Sequence, residues 1–142
     1  MLTVVVPCFN EETRIEISQF RQLLSLVPEV RLLFVNDGST DRTLQVLKGF
    51  AATEPDRVSV LSLPANAGKG EAIRRGILAA ISESPSWMAY LDADLATPPG
   101  EVQRLWSVCQ EGSSLEIVFG SRVHLCGSGI DRSMGRHITG RV

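Results

Sequence analysis

Two carboxylates one residue apart, Asp92-Ala93-Asp94, follow the strand-like run Trp87-Met88-Ala89-Tyr90-Leu91. In an extended segment alternate side chains share a face, so both acids can converge on one ion while Ala93 points away. Hard divalent cations take oxygen ligands, and two carboxylates leave coordination positions open for a diphosphate. Aspartate pairs are also common in solvated turns, so this one needs support from its surroundings.

Three further polar clusters give that support, each following an apolar run of strand length: Pro7-Cys8-Phe9-Asn10-Glu11-Glu12, Asn36-Asp37-Gly38-Ser39 and Asn66-Ala67-Gly68-Lys69-Gly70. An ionised Asp37 at a strand end accepts the N–H donors of a nucleobase, or joins Ser39 in capping the next helix; Asn36 reads as structural. Gly68 and Gly70 let backbone approach a phosphate at a helix N-terminus, with Lys69 as a mobile positive charge. The spacing is not that of a P-loop, and no Gly-x-Gly-x-x-Gly follows the first strand, which argues against a dinucleotide-binding oxidoreductase. Arg74 and Arg75 face about 100° apart, one toward solvent and the other toward the cleft, and Gly76 reads as a helix-packing glycine. Phe9 lies where a base could stack, whereas Trp87, Tyr90, Trp106 and the other phenylalanines sit at core-like spacing. Gly120-Ser121-Arg122 follows a fifth apolar run, and Arg132 and Arg136 stand four apart. Guanidinium groups so placed grip a phosphate, or form an ordinary solvated basic face.

The elements that must position these residues alternate. Strands are expected at Leu2–Val6, ended by Pro7, and at Arg31–Val35, Val58–Leu63, Trp87–Leu91 and Ile117–Phe119. Helices are expected over Thr13–Leu26, along the segment bearing Leu44, Val46, Leu47 and Phe50 with Ser39 or Thr40 as cap, over roughly residues 70–82, and from Pro98-Pro99 to Glu111. Another helix is expected to begin within Asp131–Val142. The alternation implies βαβ units, a largely parallel sheet and helices on both faces. In such sheets ligands bind outside the carboxyl ends of the strands, which is where all the clusters fall.

The 142 residues, 44% hydrophobic and 21% charged, suit one globular domain. Residues 1–120 carry ten Lys/Arg against fifteen Asp/Glu, net −5; residues 121–142 carry four Arg against one Asp, net +3. The acidic balance gives no reason to expect nucleic acid as partner. Cys8, Cys109 and Cys126 are odd in number and scattered, which favours a reducing compartment over a disulfide or zinc framework; no histidine or positive cluster close in sequence marks Cys8 or Cys126 as reactive. His124 and His137 show no metal-ligand spacing. With no signal-peptide pattern and no transmembrane segment in this chain, a cytoplasmic protein is expected.

Val4-Val5-Val6-Pro7-Cys8-Phe9-Asn10-Glu11-Glu12, Val35-Asn36-Asp37-Gly38-Ser39-Thr40-Asp41, Asn66-Ala67-Gly68-Lys69-Gly70, Leu91-Asp92-Ala93-Asp94 and Gly120-Ser121-Arg122 together resemble the family 2 glycosyltransferases of the GT-A fold. Asp94-Leu95-Ala96-Thr97-Pro98-Pro99 and the later arginines are similar to the polyprenyl-phosphate branch, dolichyl-phosphate β-glucosyltransferases above all. Related mannosyltransferases usually have Gln-His in place of Ala96-Thr97, a departure that removes one metal-contacting side chain. The resemblance implies an α/β, Rossmann-like GT-A domain over residues 1–142, with a donor half at 1–120 and the start of an acceptor region at 121–142. It implies that Pro7, Phe9, Asn10, Glu11 and Asp37 frame the nucleoside of a nucleotide-sugar donor, with Gly68 and Lys69 beside it. Asp92 and Asp94 would hold ribose and a Mg²⁺ or Mn²⁺ ion, and Arg122, Arg132 and Arg136 the phosphate of a lipid-phosphate acceptor, with Asp92, Asp94 and Arg122 as the catalytic set. The implied activity is a metal-dependent, inverting transfer of a hexose from UDP-glucose or GDP-mannose, compatible with association at the cytoplasmic face of a membrane. Family members continue beyond the position of Val142, so the acceptor side is expected to be incomplete, and turnover is not expected of these residues alone. The alternatives are a nucleotide-sugar-binding module without turnover and a sugar-phosphate nucleotidyltransferase; the latter needs a Gly-rich, Arg/Lys-bearing loop where this chain has Pro-Cys-Phe-Asn-Glu-Glu.

Overall fold

The computed structural model describes residues 1–112 and 114–120. Strands β1 (Leu2–Cys8), β2 (Val30–Asp37), β3 (Val58–Leu63) and β4 (Trp87–Tyr90) alternate with helices α1 (Ile17–Leu26), α2 (Thr43–Thr53), α3 (Lys69–Ile81) and α4 (Pro99–Glu111). The strands form one parallel sheet in the order β3-β2-β1-β4. Chain order therefore reverses direction beside β1, and a crevice opens between the carboxyl ends of β1 and β4.

β1 and β2 are central strands and read as nearly unbroken apolar runs because both their faces are covered. On one face Val4, Val6, Leu32 and Phe34 pack against Phe20, Leu23 and Leu24 of α1, Leu47 and Phe50 of α2, and Val102 and Trp106 of α4. Phe34 sits edge-on between Phe20 and Phe50, with ring centroids 4.9 and 6.0 Å away. On the other face Val5, Leu33 and Val35 meet Ala72 and Ala80 of α3. The helix lies so close that a Cβ on Gly76 would stand 2.4 Å from Val5 Cγ1 and 2.8 Å from Val35 Cγ2, so Gly76 is the packing glycine expected.

Several elements depart from their expected limits. Pro7 does not end β1: it pairs with Val35, and the strand runs on to Cys8. Val5 turns its carbonyl toward β4, accepting the Leu91 N–H, so the missing Pro7 donor faces the same side, where β4 has already ended. No ladder bond is lost there. α1 begins four residues late because the Glu11 carbonyl takes the Arg14 and Ile15 N–H groups and makes a separate turn of residues 12–14.

Asp41, rather than Ser39 or Thr40, supplies the carboxylate at the start of α2, accepting from Thr43 N at 2.9 Å. Ile117–Phe119 is not a strand. Among the described residues no strand lies beyond β4 to pair with it, and Ile117 and Phe119 are 67% and 81% exposed. Tyr90 is likewise not a core residue. It shares with Met88 the β4 face that α3 leaves uncovered, and both are exposed. The helix expected after Asp131 falls outside the described residues.

Candidate functional site

The loops after β1 and β2 form one unit. Asn10, at a left-handed φ of 52°, donates its N–H to Ser39 Oγ and accepts the Thr40 N–H on Oδ1. Glu11 N donates to Thr43 Oγ1 at 2.8 Å, and the Thr43 hydroxyl donates to Asp41 Oδ1. Glu12 N donates to Asp41 Oδ2, while the Glu12 carboxylate accepts from both Arg42 N and Arg42 Nε. These bonds hold the Asp41 and Glu12 carboxyls below the usual carboxylate range, Asp41 through Thr43 first and Glu12 through the Arg42 amide first. Sequence reading missed this latch, since its partners stand about thirty residues apart and no local pattern announces them.

Asp37 closes the same unit from the far side. It is 2% exposed, and its two oxygens accept the Ala67 and Gly68 N–H groups, each at 2.9 Å. It therefore does not cap α2; it holds down the loop after β3, with each oxygen keeping a second lone pair. Gly38, at φ +64°, allows the loop to sit there: a Cβ would lie 2.3 Å from the Ala65 carbonyl carbon. Asn36 is structural as expected, buried and donating to Ser62 Oγ across β2 and β3. Phe9, in the loop after β1, is exposed and free of the core.

The remaining acids line the crevice between β1 and β4. Asp92 and Asp94 follow β4 after Leu91, in a turn closed by the Leu95 N–H on the Asp92 carbonyl rather than in the extended segment expected, with Ala93 buried between them and Asp94 exposed. Asp94 Oδ1 accepts the Ala96 N–H at 3.0 Å within its own loop, where Leu95 takes a left-handed φ of 46°. Burial pushes the Glu11 carboxyl above its ordinary value; Arg14, 2.8 Å away, opposes this, and the negative charges of Asp94 and Asp41 add to it. That coupling places Glu11 and Asp94 in one electrostatic environment. Lys69, at the first position of α3, crosses the rim to bring Nζ within 2.6 Å of Asp92 Oδ1. This is a charge contact off the hydrogen-bonding line, because the buried Oδ1 has no hydrogen-bond donor.

Other expected residues take different places. Arg74 and Arg75 both pair with Glu71, whose carboxyl they lower to about 2, so neither enters the cleft. Cys8 is buried, and its thiol is pushed up to about 12 by burial, then by Glu11; it is inert, as the lack of a histidine or positive cluster implied. Cys8 and Cys109 are free thiols. Arg122, Arg132 and Arg136, and with them the acceptor-phosphate reading, lie outside the described residues. No helix among the described residues is long and apolar enough to cross a membrane.

This geometry meets a family match. The sequence model described as "Glycosyl transferase family 2" matches residues 3–137, nearly the whole chain. The chain belongs to glycosyl transferase family 2. Among relatives of this family 2 chain, a dolichyl-phosphate beta-glucosyltransferase of Trichomonas vaginalis is 33% identical over 89% of this chain and 40% of its own length. The Dictyostelium discoideum enzyme of the same name is 31% identical over 96% and 45%. A polyprenol monophosphomannose synthase of Mycolicibacterium smegmatis is 33% identical over 84% and 44%. The chain thus spans less than half the length of these relatives. Among solved structures, S. aureus TarS residues 1–349 superpose with a TM-score of 0.58 at 20% identity, covering 78% of this chain and 32% of that one. Glucosyl-3-phosphoglycerate synthase of Mycobacterium tuberculosis, in complex with UDP, gives 0.52 at 27% identity over 80% and 41%. The fold is the GT-A type that the sequence led us to expect.

The divalent cation associated with this fold can be tested against the residues present. Asp92 offers a buried oxygen with no hydrogen-bond donor, and Asp94 offers an exposed carboxylate two residues on. No cluster of three or more His, Cys, Asp or Glu able to hold a metal occurs among the described residues. Two carboxylates and open positions fit Mg²⁺ or Mn²⁺ shared with substrate phosphates, and do not fit an all-protein structural cage.

Proposed function

We propose that this chain is the donor-binding portion of a glycosyltransferase that moves a hexose from a nucleotide sugar to a polyprenyl phosphate, with inversion. The observation that carries the reading is the Asp92 and Asp94 pair at the crevice where strand order reverses, facing Glu11 and reached by Lys69. The similarity to dolichyl-phosphate and polyprenol transferases supports the acceptor class, and the UDP complex of a structural relative supports a nucleoside diphosphate donor.

In this reading the latched loops of β1 and β2 offer the nucleoside a fixed cradle, with Phe9 exposed for stacking and Asp37 positioned beneath the Asn66–Gly68 loop. Pro7, Asn10 and Gly68 shape that cradle through their backbone. Asp92 and Asp94 hold Mg²⁺ or Mn²⁺, which supplies Lewis acidity toward the departing nucleoside diphosphate. Arg122, Arg132 and Arg136 grip the acceptor phosphate. That phosphate is itself an anion, so its oxygen can attack the anomeric carbon without a strong protein base. The loop after β1 favours transfer over nucleotidyl transfer, since it presents Asn10, Glu11 and Glu12 rather than Arg or Lys to the triphosphate that a nucleotidyltransferase must bind.

The decisive experiment is calorimetric titration of UDP-glucose and GDP-mannose into the chain with and without Mn²⁺, for the wild type and Asp94→Ala. Binding should require the metal and weaken at least about tenfold in the variant, the loss of one charged ligand. Binding indifferent to both Mn²⁺ and Asp94 overturns the cation reading and leaves a metal-free binding module.

A further inference from the structure

The acids of the crevice already have a counter-ion. Lys69 Nζ stands 2.6 Å from Asp92 Oδ1, the buried oxygen best suited to a metal, although α3 starts beyond β3 at the opposite edge of the sheet from β4. The other α3 cations near this end, Arg74 and Arg75, are committed to Glu71, so Lys69 is the α3 cation that serves the rim. Its contact lacks hydrogen-bond alignment, and both partners reach water, with side chains 59% and 38% exposed. With both side chains reaching water, the pair is weak and readily exchanged even though the Asp92 oxygen it touches is covered. A lysine is suited to exchange, being a point charge on a flexible four-carbon stem. A divalent cation taken up at that oxygen would stand beside the ammonium's like charge, and the two repel at that range.

Building on the cation site proposed above, we infer that Lys69 is a built-in competitor of the metal and a partner of the donor. When a divalent cation takes Asp92, the Lys69 ammonium is displaced and turns to the phosphates of the incoming nucleoside diphosphate. Metal entry and donor entry are thereby coupled through one side chain: the ion is held weakly on its own, and more tightly once phosphates give Lys69 somewhere to go. This makes Lys69 a positioning residue for ordered loading, and it gives the lysine opposite effects on the two ligands.

Those opposite signs are the test. Free Mn²⁺ is measured by electron paramagnetic resonance during titration of the 142-residue chain without nucleotide, for wild type, Lys69→Met and Lys69→Arg. UDP affinity is measured by calorimetry at saturating Mn²⁺. Lys69→Met should bind Mn²⁺ alone about three- to tenfold more tightly, since a like charge beside the ligand is removed. The same variant should bind UDP about tenfold more weakly, for want of a charge-assisted contact. Lys69→Arg should stay near wild type in the first assay. If Mn²⁺ binds in an Asp94-dependent way but Lys69→Met leaves its affinity unchanged or lowers it, the competition is refuted while the cation site stands. If no Asp94-dependent Mn²⁺ binding occurs in any of the chains, the cation site itself is refuted and the inference with it.

Discussion

Above β1 and β2, the loops at residues 10–12 and 39–43 are tied by reciprocal bonds between backbone and side chain, and Asp37 anchors the loop after β3 beside them. Above β4, Asp94 stands exposed with one bond inside its own loop, and among the described residues the Asp92 carboxylate meets the Lys69 ammonium. On one side of the crevice the side chains themselves are tied by directional hydrogen bonds between loops; on the other, a loop seated by buried Ala93 and Leu95 presents carboxylates whose contact outside that loop is a charge pair. The difference suits the two recognition tasks of the proposed function. A nucleoside is a fixed shape read by fixed donors and acceptors, and a preformed cradle avoids the entropy of ordering loops on binding. A diphosphate with its cation is a change of net charge, met best by carboxylates whose existing counter-ion can be exchanged.

The tied side should break most severely at Gly38. Alanine there must hold a left-handed φ and place its Cβ 2.3 Å from backbone at Ala65. Left-handed strain and backbone overpacking each cost about 1–3 kcal/mol, so Gly38→Ala should lose about 3 kcal/mol of stability in urea unfolding, with donor affinity falling as the loop at 65–68 is pushed away. A variant as stable as wild type would mean that the two loops do not lean on each other.

Much of this contrast was invisible in the sequence, for a physical reason. The strands announce themselves through local apolar runs, and Gly76 through its place in a helix. The acidic pair, Lys69 and Asp37 were legible as candidates because the parallel architecture puts every strand's carboxyl end on one rim. What binds them to one another was not legible. The pairs Asn10 with Ser39, Glu12 with Arg42, and Lys69 with Asp92 join residues far apart in sequence, and side-chain hydrogen bonds have no periodicity to read. Asp37 shows the consequence: its type and position suggested an open cleft carboxylate or a helix cap, and it holds down a third loop. Ile117–Phe119 shows the converse error, because a short apolar run has strand character without having a neighbour to pair with, and pairing decides.

The latch can be sharpened at Thr43, which is fully buried and serves both sides of it. Thr43→Val keeps the shape and removes the hydroxyl, leaving the Glu11 N–H without an acceptor. The unmet donor should cost about 1–3 kcal/mol in urea unfolding. Donor affinity should fall with it, because the loop after β1 loses its tie to α2. Lost stability with unchanged donor affinity would separate the latch from the cradle and confine it to folding.

The smallest effect tests whether the two sides of the crevice communicate. Glu11 belongs to the latched loop, yet Asp94 across the crevice helps burial keep its carboxyl protonated to higher pH, with Asp41 adding and Arg14 opposing. A carboxyl raised in the folded state binds more protons folded than unfolded, so it makes stability fall as pH rises from its unfolded value, near 4.3, through the raised one. Glu11→Gln removes that slope. The variant should match wild type near pH 4 and become more stable above it, by no more than about 0.5 kcal/mol because Glu11 lies close to water and Arg14 offsets part of the charge. Mn²⁺ bound at Asp94 should cancel the repulsion and shrink the difference between variant and wild type. Urea midpoints from pH 4 to 7, with and without Mn²⁺, measure both. A gap that opens with pH but ignores the metal would assign the shift to burial alone and leave the cradle and the cation site electrically independent.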